Sequence, residues 1–99
     1  MISDDVVWLA YATAHYVRTT GDEPLLDEKL AFILGDPLKP GQHDAFFTPE
    51  TSREKAGVYE HCARALDLAV KRTSDRDLPL ILGGDWNDGM NRVGEEGHG

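Results

Sequence analysis

The sequence predicts an all-α chain with a long loop and a loop-borne site. Three segments with helical spacing of apolar residues carry that prediction, each bounded by residues that start and stop helices. A proline-rich connection between the second and third segments supplies the loop.

The first segment reads "SDDVVWLAYATAHYVRTTGD". Ser3 is a good N-cap, and Asp4 and Asp5 fall in the first turn, where the helix dipole favours anions. Gly21 supplies the stop. Between them Val6, Val7, Trp8, Leu9, Ala10, Tyr11, Ala12, Ala14, Tyr16 and Val17 leave almost no polar face, the pattern of a helix buried on all sides. A shorter helix is expected over 24–34. Asp22 can cap it, Pro24 is tolerated in its first turn, and Leu26, Leu30, Ile33 and Leu34 form its stripe. Gly35 and Asp36-Pro37 end it. The loop "DPLKPGQHDAFFTPE" follows, long enough without structure to suggest function. The third helix is expected over 51–73. Thr51 and Glu54 make a capping-box pattern, Val58, Cys62, Ala65, Leu66 and Ala69 make the stripe, and Lys71 and Arg72 sit where the dipole favours cations.

The bulk properties narrow the function. A chain of 99 residues is one domain or less. Its start runs almost at once into helix-like sequence and "RVGEEGHG" ends without a cap, so residues 1–99 are expected to be part of a domain cut at both ends. The wholly apolar first helix points the same way, since so short a chain offers little to surround it. The net charge of −8 argues against nucleic acid or an anionic membrane as partner. The single cysteine, Cys62, leaves no internal disulfide and no multi-cysteine zinc site. No run approaches the roughly 20 apolar residues of a membrane span.

The stretch "GGDWNDGMN" concentrates two aspartates, two asparagines and a tryptophan between glycines. Calcium is one reading. An EF-hand counted from Asp85 finds Asn87 at its third position and Glu96 at its twelfth. The fifth position is then Gly89 and the sixth Met90, so a ligand is lost and the glycine falls one residue early. No metal is therefore expected. Acid chemistry on a sugar is the second reading. A glycosidic bond needs a carboxylic acid to protonate the leaving oxygen, and tryptophan suits the flat apolar face of a pyranose. Asp85, Trp86, Asn87 and Asp88 supply acid, platform and hydrogen-bonding groups together. The third reading is an ordinary turn capped by Asp and Asn with Trp in a core.

"ISDDVVWL", "GQHDAFF", "YEHCARALD" and "GGDWNDGMNRVGEEG" together resemble the catalytic domain of glycoside hydrolase family 94, the inverting β-glucoside phosphorylases. The last motif is most similar to the β-1,2-glucan branch: the phosphorylase-like region of cyclic β-1,2-glucan synthases and the 1,2-β-oligoglucan phosphorylases. The resemblance implies a fragment of an (α/α)6 barrel whose remainder completes the domain. It implies Asp88 as general acid, Trp86 lining the sugar subsite, and an aspartate of the Ser-Asp-Asp motif on sugar hydroxyls, Asp5 favoured over Asp4 by spacing. Asp85 and Asn87 are expected to support substrate binding. The family's upstream arginine and downstream phosphate-binding residues are not among these positions.

The implied reaction is phosphorolysis of a β-glucoside, or its reversal from glucose 1-phosphate. Phosphate is itself the nucleophile, so one protein acid suffices where an inverting hydrolase also needs a base. The implied partners are a β-glucan oligosaccharide and phosphate, with no other cofactor. The implied location is the cytoplasm, or the cytoplasmic face of the inner membrane for a cyclic-glucan synthase. A non-catalytic carbohydrate-binding fragment is the alternative. His43 and Asp44 are read as loop residues, Glu60 and His61 as flanks of the third helix's stripe, Cys62 as a small buried hydrophobe, and Glu95 and Glu96 as sugar contacts or a solvated tail.

Overall fold

The computed structural model describes residues 3–42, 45–82 and 84. Their order is helix α1 (Asp5–Thr20), a short 3-10 turn (Glu23–Asp27), strand β1 (Lys29–Leu34), strand β2 (Glu50–Gly57) and helix α2 (Val58–Lys71). This is a mixed α/β arrangement. It corrects the all-α expectation, and with it the picture of these residues as helices of an (α/α)6 barrel.

α1 is close to its prediction. Gly21 takes the left-handed conformation at φ 72° and its N–H bonds to the Val17 carbonyl at 2.8 Å, closing the helix. At the other end the cap is Asp4 rather than Ser3: the Asp4 carbonyl accepts from the N–H groups of Val7 and Trp8, while no side chain caps the helix. None of the α1 residues is buried among the described residues, and Trp8, Tyr11 and Tyr16 are exposed. The expected all-round burial is therefore not made here.

The predicted second helix is a strand. Its first turn survives only as the 3-10 turn over Glu23–Asp27, and Glu28 is already extended. From Lys29 the chain pairs antiparallel with β2, Lys29 opposite Gly57 and Leu34 opposite Glu50, with a bulge between Ala31 and Ile33. Leu30, Phe32, Ile33 and Leu34 suit a pleated surface as well as a helix stripe, and the partner strand decides between them.

The predicted third helix is shorter. Residues 50–57 are β2, and the break falls at Gly57, the N-cap of α2. Thr51 and Glu54 therefore cap nothing: Glu54 turns its carboxylate to Arg64 at 2.7 Å. A side chain at Gly57 would meet the Leu26 carbonyl oxygen 2.9 Å from its Cβ, so glycine lets the strand end press on the turn below it. The Val58 N–H bonds to the Glu28 carbonyl at 3.1 Å and holds the junction.

The small core lies where α2 faces the hairpin and α1. Val58 and Cys62 are its buried apolar residues among those described, one turn apart. Ala65 and Ala69 continue that face half-buried, whereas Leu66 points outward. The hairpin is clamped from above. Phe32 stacks on His61 with ring centroids 4.0 Å apart, and the Arg64 guanidinium lies 4.5 Å over the same ring. Glu54 and Glu60 both hold Arg64, and these hydrogen bonds raise its pKa above the usual arginine value. A ring nitrogen of His61, Nε2, lies 3.0 Å from the Leu30 carbonyl. His61 and Arg64 thus fasten helix to sheet, with Glu60 bracing Arg64 from within α2.

Candidate functional site

Two stretches that lie far apart in the chain meet at the foot of α1. The Ser3 N–H donates to the Gly84 carbonyl at 2.9 Å, and Gly84 is buried. The Ser-Asp-Asp segment therefore lies against the residue immediately before Asp85. The chain reaches this point from α2 through a tight loop. Thr73 and Pro79 bridge antiparallel, Ser74 N–H bonds to the Leu78 carbonyl at 2.8 Å, and Leu80 N–H bonds to the Arg72 carbonyl at 3.0 Å. Asp77 and Leu82 both adopt left-handed backbone conformations, at φ 58° and 59°. Aspartate tolerates that region; leucine does so at a cost of about 1–2 kcal/mol.

Asp4 is held at this junction. The Trp8 indole N–H donates to Asp4 Oδ2 at 2.9 Å, across one helical turn. A carboxylate accepting a fixed N–H keeps its second oxygen in a defined place, which suits recognition of hydroxyl groups. Asp5 is exposed in the first turn of α1. The expected acid, Asp88, and its neighbours Asp85, Trp86 and Asn87 lie outside the described residues. So do His43, Asp44, Glu95, Glu96 and the whole of the calcium reading.

A cavity of about 660 Å³ opens beside the Ser3–Gly84 contact. Asp4, Arg72 and Asp77 give it polar walls, while Val7, Leu80 and Ile81 give it an apolar one. Arg72 follows the last residue of α2, where sequence reasoning assigned it to the helix dipole. Its Nη1 is buried with no hydrogen-bond acceptor. The other polar group that sequence reasoning passed over is Trp8, read as core from its apolar neighbours. The spacing of Asp4 and Trp8, four residues apart on a helix, was the signal for their contact.

A second hollow, of about 600 Å³, follows the loop between the strands past Lys39 and Phe47 and, among the described residues, shares no lining residue with the first. Among the described residues no group of three His, Cys, Asp or Glu side chains is placed to hold a metal ion, and no helix is long and apolar enough to cross a membrane.

Comparison with known proteins agrees with the motifs. The cyclic beta-(1,2)-glucan synthase NdvB of Rhizobium meliloti (strain 1021) is 66% identical over 99 residues, which is 100% of this chain and 4% of the relative. Cellobionic acid phosphorylase of Neurospora crassa is 35% identical over 97 residues, 98% of this chain and 10% of the relative. N,N'-diacetylchitobiose phosphorylase of Vibrio proteolyticus is 29% identical over 94 residues, 95% of this chain and again 10% of the relative. The chain thus spans only a small part of the length of these relatives. Residues 1–98 match the family described as Glycosyl hydrolase 94 superfamily, catalytic domain. With that match over almost every residue, the chain belongs to the glycosyl hydrolase 94 superfamily, within its catalytic domain.

Proposed function

We propose that these residues form part of the active site of an inverting β-1,2-glucan phosphorylase or of the phosphorylase-like region of a cyclic β-1,2-glucan synthase. The observation that supports the reading is the Ser3–Gly84 hydrogen bond, which sets the Ser-Asp-Asp segment against Gly84, the residue that precedes the Asp-Trp-Asn-Asp stretch in sequence. The 66% identity to a cyclic beta-(1,2)-glucan synthase favours the β-1,2 linkage over those named for the more distant relatives. Asp88 protonates the glycosidic oxygen while phosphate attacks the anomeric carbon from the opposite face. Trp86 supplies the platform for the sugar ring. Asp4, Asp5, Asp85 and Asn87 hold its hydroxyls. Phosphate arrives already charged, so no protein base is needed. An acid that works near neutral pH must keep its proton, which burial and a neighbouring carboxylate both favour. The rest of the catalytic domain covers the apolar face of α1 and supplies the phosphate-binding groups.

The test uses the natural full chain with phosphate and β-1,2-linked glucooligosaccharides, reading glucose 1-phosphate. Asp88→Asn is expected to lower the rate by about 100-fold or more, the usual scale for a general acid. An Asp88→Asn protein that retains the full rate refutes the assignment of the acid. Failure of the unaltered chain to form glucose 1-phosphate refutes phosphorolysis and leaves the carbohydrate-binding alternative.

A further inference from the structure

We propose that Leu82 is a positioning residue: its strained left-handed bend presents the Gly84 carbonyl to the Ser3 N–H and so holds the Ser-Asp-Asp segment at the sugar site. The service to a sugar site rests on the function proposed above; the bend and the contact do not.

A left-handed residue brings its Cβ against the carbonyl oxygen that follows, so bulky and branched side chains avoid that region. Leu82 adopts it nevertheless, at φ 59°. Asp77 does so too, but for a local reason. Aspartate tolerates the region, and the Asp77 N–H bonds to the Ser74 carbonyl at 3.0 Å in a turn that the Ser74 hydroxyl also closes. Leucine has no such tolerance. Glycine, which takes the left-handed region freely, stands at positions 83 and 84, yet the chain bends at the leucine. Strain of this kind persists where the surroundings over-determine the backbone, and it gathers at functional sites.

The surroundings here are anchors on either side. The Leu80 N–H bonds to the Arg72 carbonyl at 3.0 Å, which ties the chain to the end of α2. The Gly84 carbonyl accepts from the Ser3 N–H at 2.9 Å, which ties it to the foot of α1. Leu82 lies midway between the anchors. Its side chain is half-buried and lines the cavity that Val7 of α1 and Ala69 of α2 also line. With both ends tied and the side chain packed, the segment has little freedom to relax the bend. The bend in turn secures the register of Ser3 against Gly84. Asp4 follows Ser3 directly, and its carboxylate is oriented by the Trp8 indole at 2.9 Å.

The test is hydrogen exchange of the Ser3 amide, read by mass spectrometry in the natural full chain. Leu82→Ala and Leu82→Gly both lose the apolar group and differ only in the Cβ that opposes the bend. At an ordinary position glycine is the looser of the two. At a left-handed one the order reverses, so the Ser3 amide is expected to exchange about twofold to fivefold more slowly in Leu82→Gly than in Leu82→Ala. Leu82→Ile keeps the volume of the side chain and adds a branch at Cβ. Exchange is then expected to be at least about threefold faster than in the unaltered chain. Glucose 1-phosphate formation from phosphate and a β-1,2-linked glucooligosaccharide is expected to follow the same order, with glycine outperforming alanine. Loss of packing alone does not produce that order. An alanine variant that protects the Ser3 amide as well as glycine does overturns the proposal, and so does unchanged exchange in a folded Leu82→Ile protein. Circular dichroism checks folding; where Leu82→Ile does not fold, the comparison of alanine with glycine decides. Exchange in the expected order with equal rates of glucose 1-phosphate formation makes the bend merely structural and overturns the positioning role. A chain that forms no glucose 1-phosphate refutes phosphorolysis, and calorimetric affinity for the oligosaccharide then replaces the rate. Affinity in the same order upholds the proposal; equal or absent affinity overturns it.

Discussion

Replacing Gly57 with alanine should loosen the hairpin without touching α1. The added Cβ would sit 2.9 Å from the Leu26 carbonyl oxygen and 3.7 Å from the Asp27 Cα. Carbon–oxygen contacts in proteins settle at about 3.3–3.6 Å, so the two groups must part by roughly half an ångström. Neither side can move freely. Leu26 belongs to the 3-10 turn, and the chain on both sides of the contact is tied by the Val58–Glu28 hydrogen bond and the Lys29–Gly57 pairing. Overpacking of this kind costs about 1–3 kcal/mol. The backbone conformation at Gly57, φ −65° and ψ 158°, is open to alanine, so loss of glycine's freedom in the unfolded chain returns about 0.4–1 kcal/mol. The net is a destabilisation of about 1–2 kcal/mol, a factor of about 5–30 in the opening equilibrium. Hydrogen exchange read by mass spectrometry measures this directly. Amides of β1 and β2 should exchange about 5–30 times faster in Gly57→Ala, with the interior of α1 as the unchanged reference. Wild-type protection in the strands of the variant would refute the close approach and the role given to the glycine.

Gly21 is a glycine for the opposite reason. It has open space around it but a φ of 72°, so Gly21→Ala should destabilise the C-terminal turn of α1 by about 1 kcal/mol, and Gly21→Asn by less; faster amide exchange confined to that turn is the readout. Trp8→Phe removes the indole donor to Asp4 while keeping an aromatic ring. Because Trp8 is 47% exposed the effect on stability should stay below about 1 kcal/mol, while oligosaccharide affinity falls about twofold to fivefold by titration; unchanged affinity would remove Asp4 from the sugar site.

What the sequence revealed depended on how local the cause was. The end of α1 was legible because Gly21 must adopt a conformation that few residues tolerate. The stripe of Val58, Cys62, Ala65 and Ala69 was legible because α2 buries that face, although Leu66, placed on it by spacing, points outward. The strands were not legible. Leu30, Ile33 and Leu34 satisfy a helix pattern, and only pairing with residues about twenty positions away makes them extended. The capping-box spacing of Thr51 and Glu54 reinforced the error, while Gly57, the real boundary, passed as one weak residue inside a helix. At the site, residue chemistry offered an acid, a platform and hydrogen-bonding groups without assigning them; the family resemblance implied the roles of Asp88, Trp86 and the two N-terminal aspartates, and placement rests on tertiary contacts. Asp4 shows this: its partner Trp8 was in view as an apolar residue, and the bond from its neighbour Ser3 to Gly84 has no local signature at all. Arg72 was likewise explained too early, by a helix end, before the cavity beside it was visible.

The hydrogen bond from Ser3 to Gly84 also has a consequence for how the molecule comes into being. Its two groups are separated by nearly the whole chain. On the ribosome, synthesis proceeds at about 5–20 residues per second, so the N-terminal half of the contact waits several seconds for the other to be made. α1, with its exposed aromatic residues, exists through that interval without the loop that will meet its foot. Closing so long a loop is not much dearer than closing one of half the length, about 0.6 kcal/mol per doubling, but it comes late. Assembly of this contact therefore waits for synthesis to pass Gly84, and a chaperone that shields α1 during that interval would act on the yield of active protein rather than on its final stability.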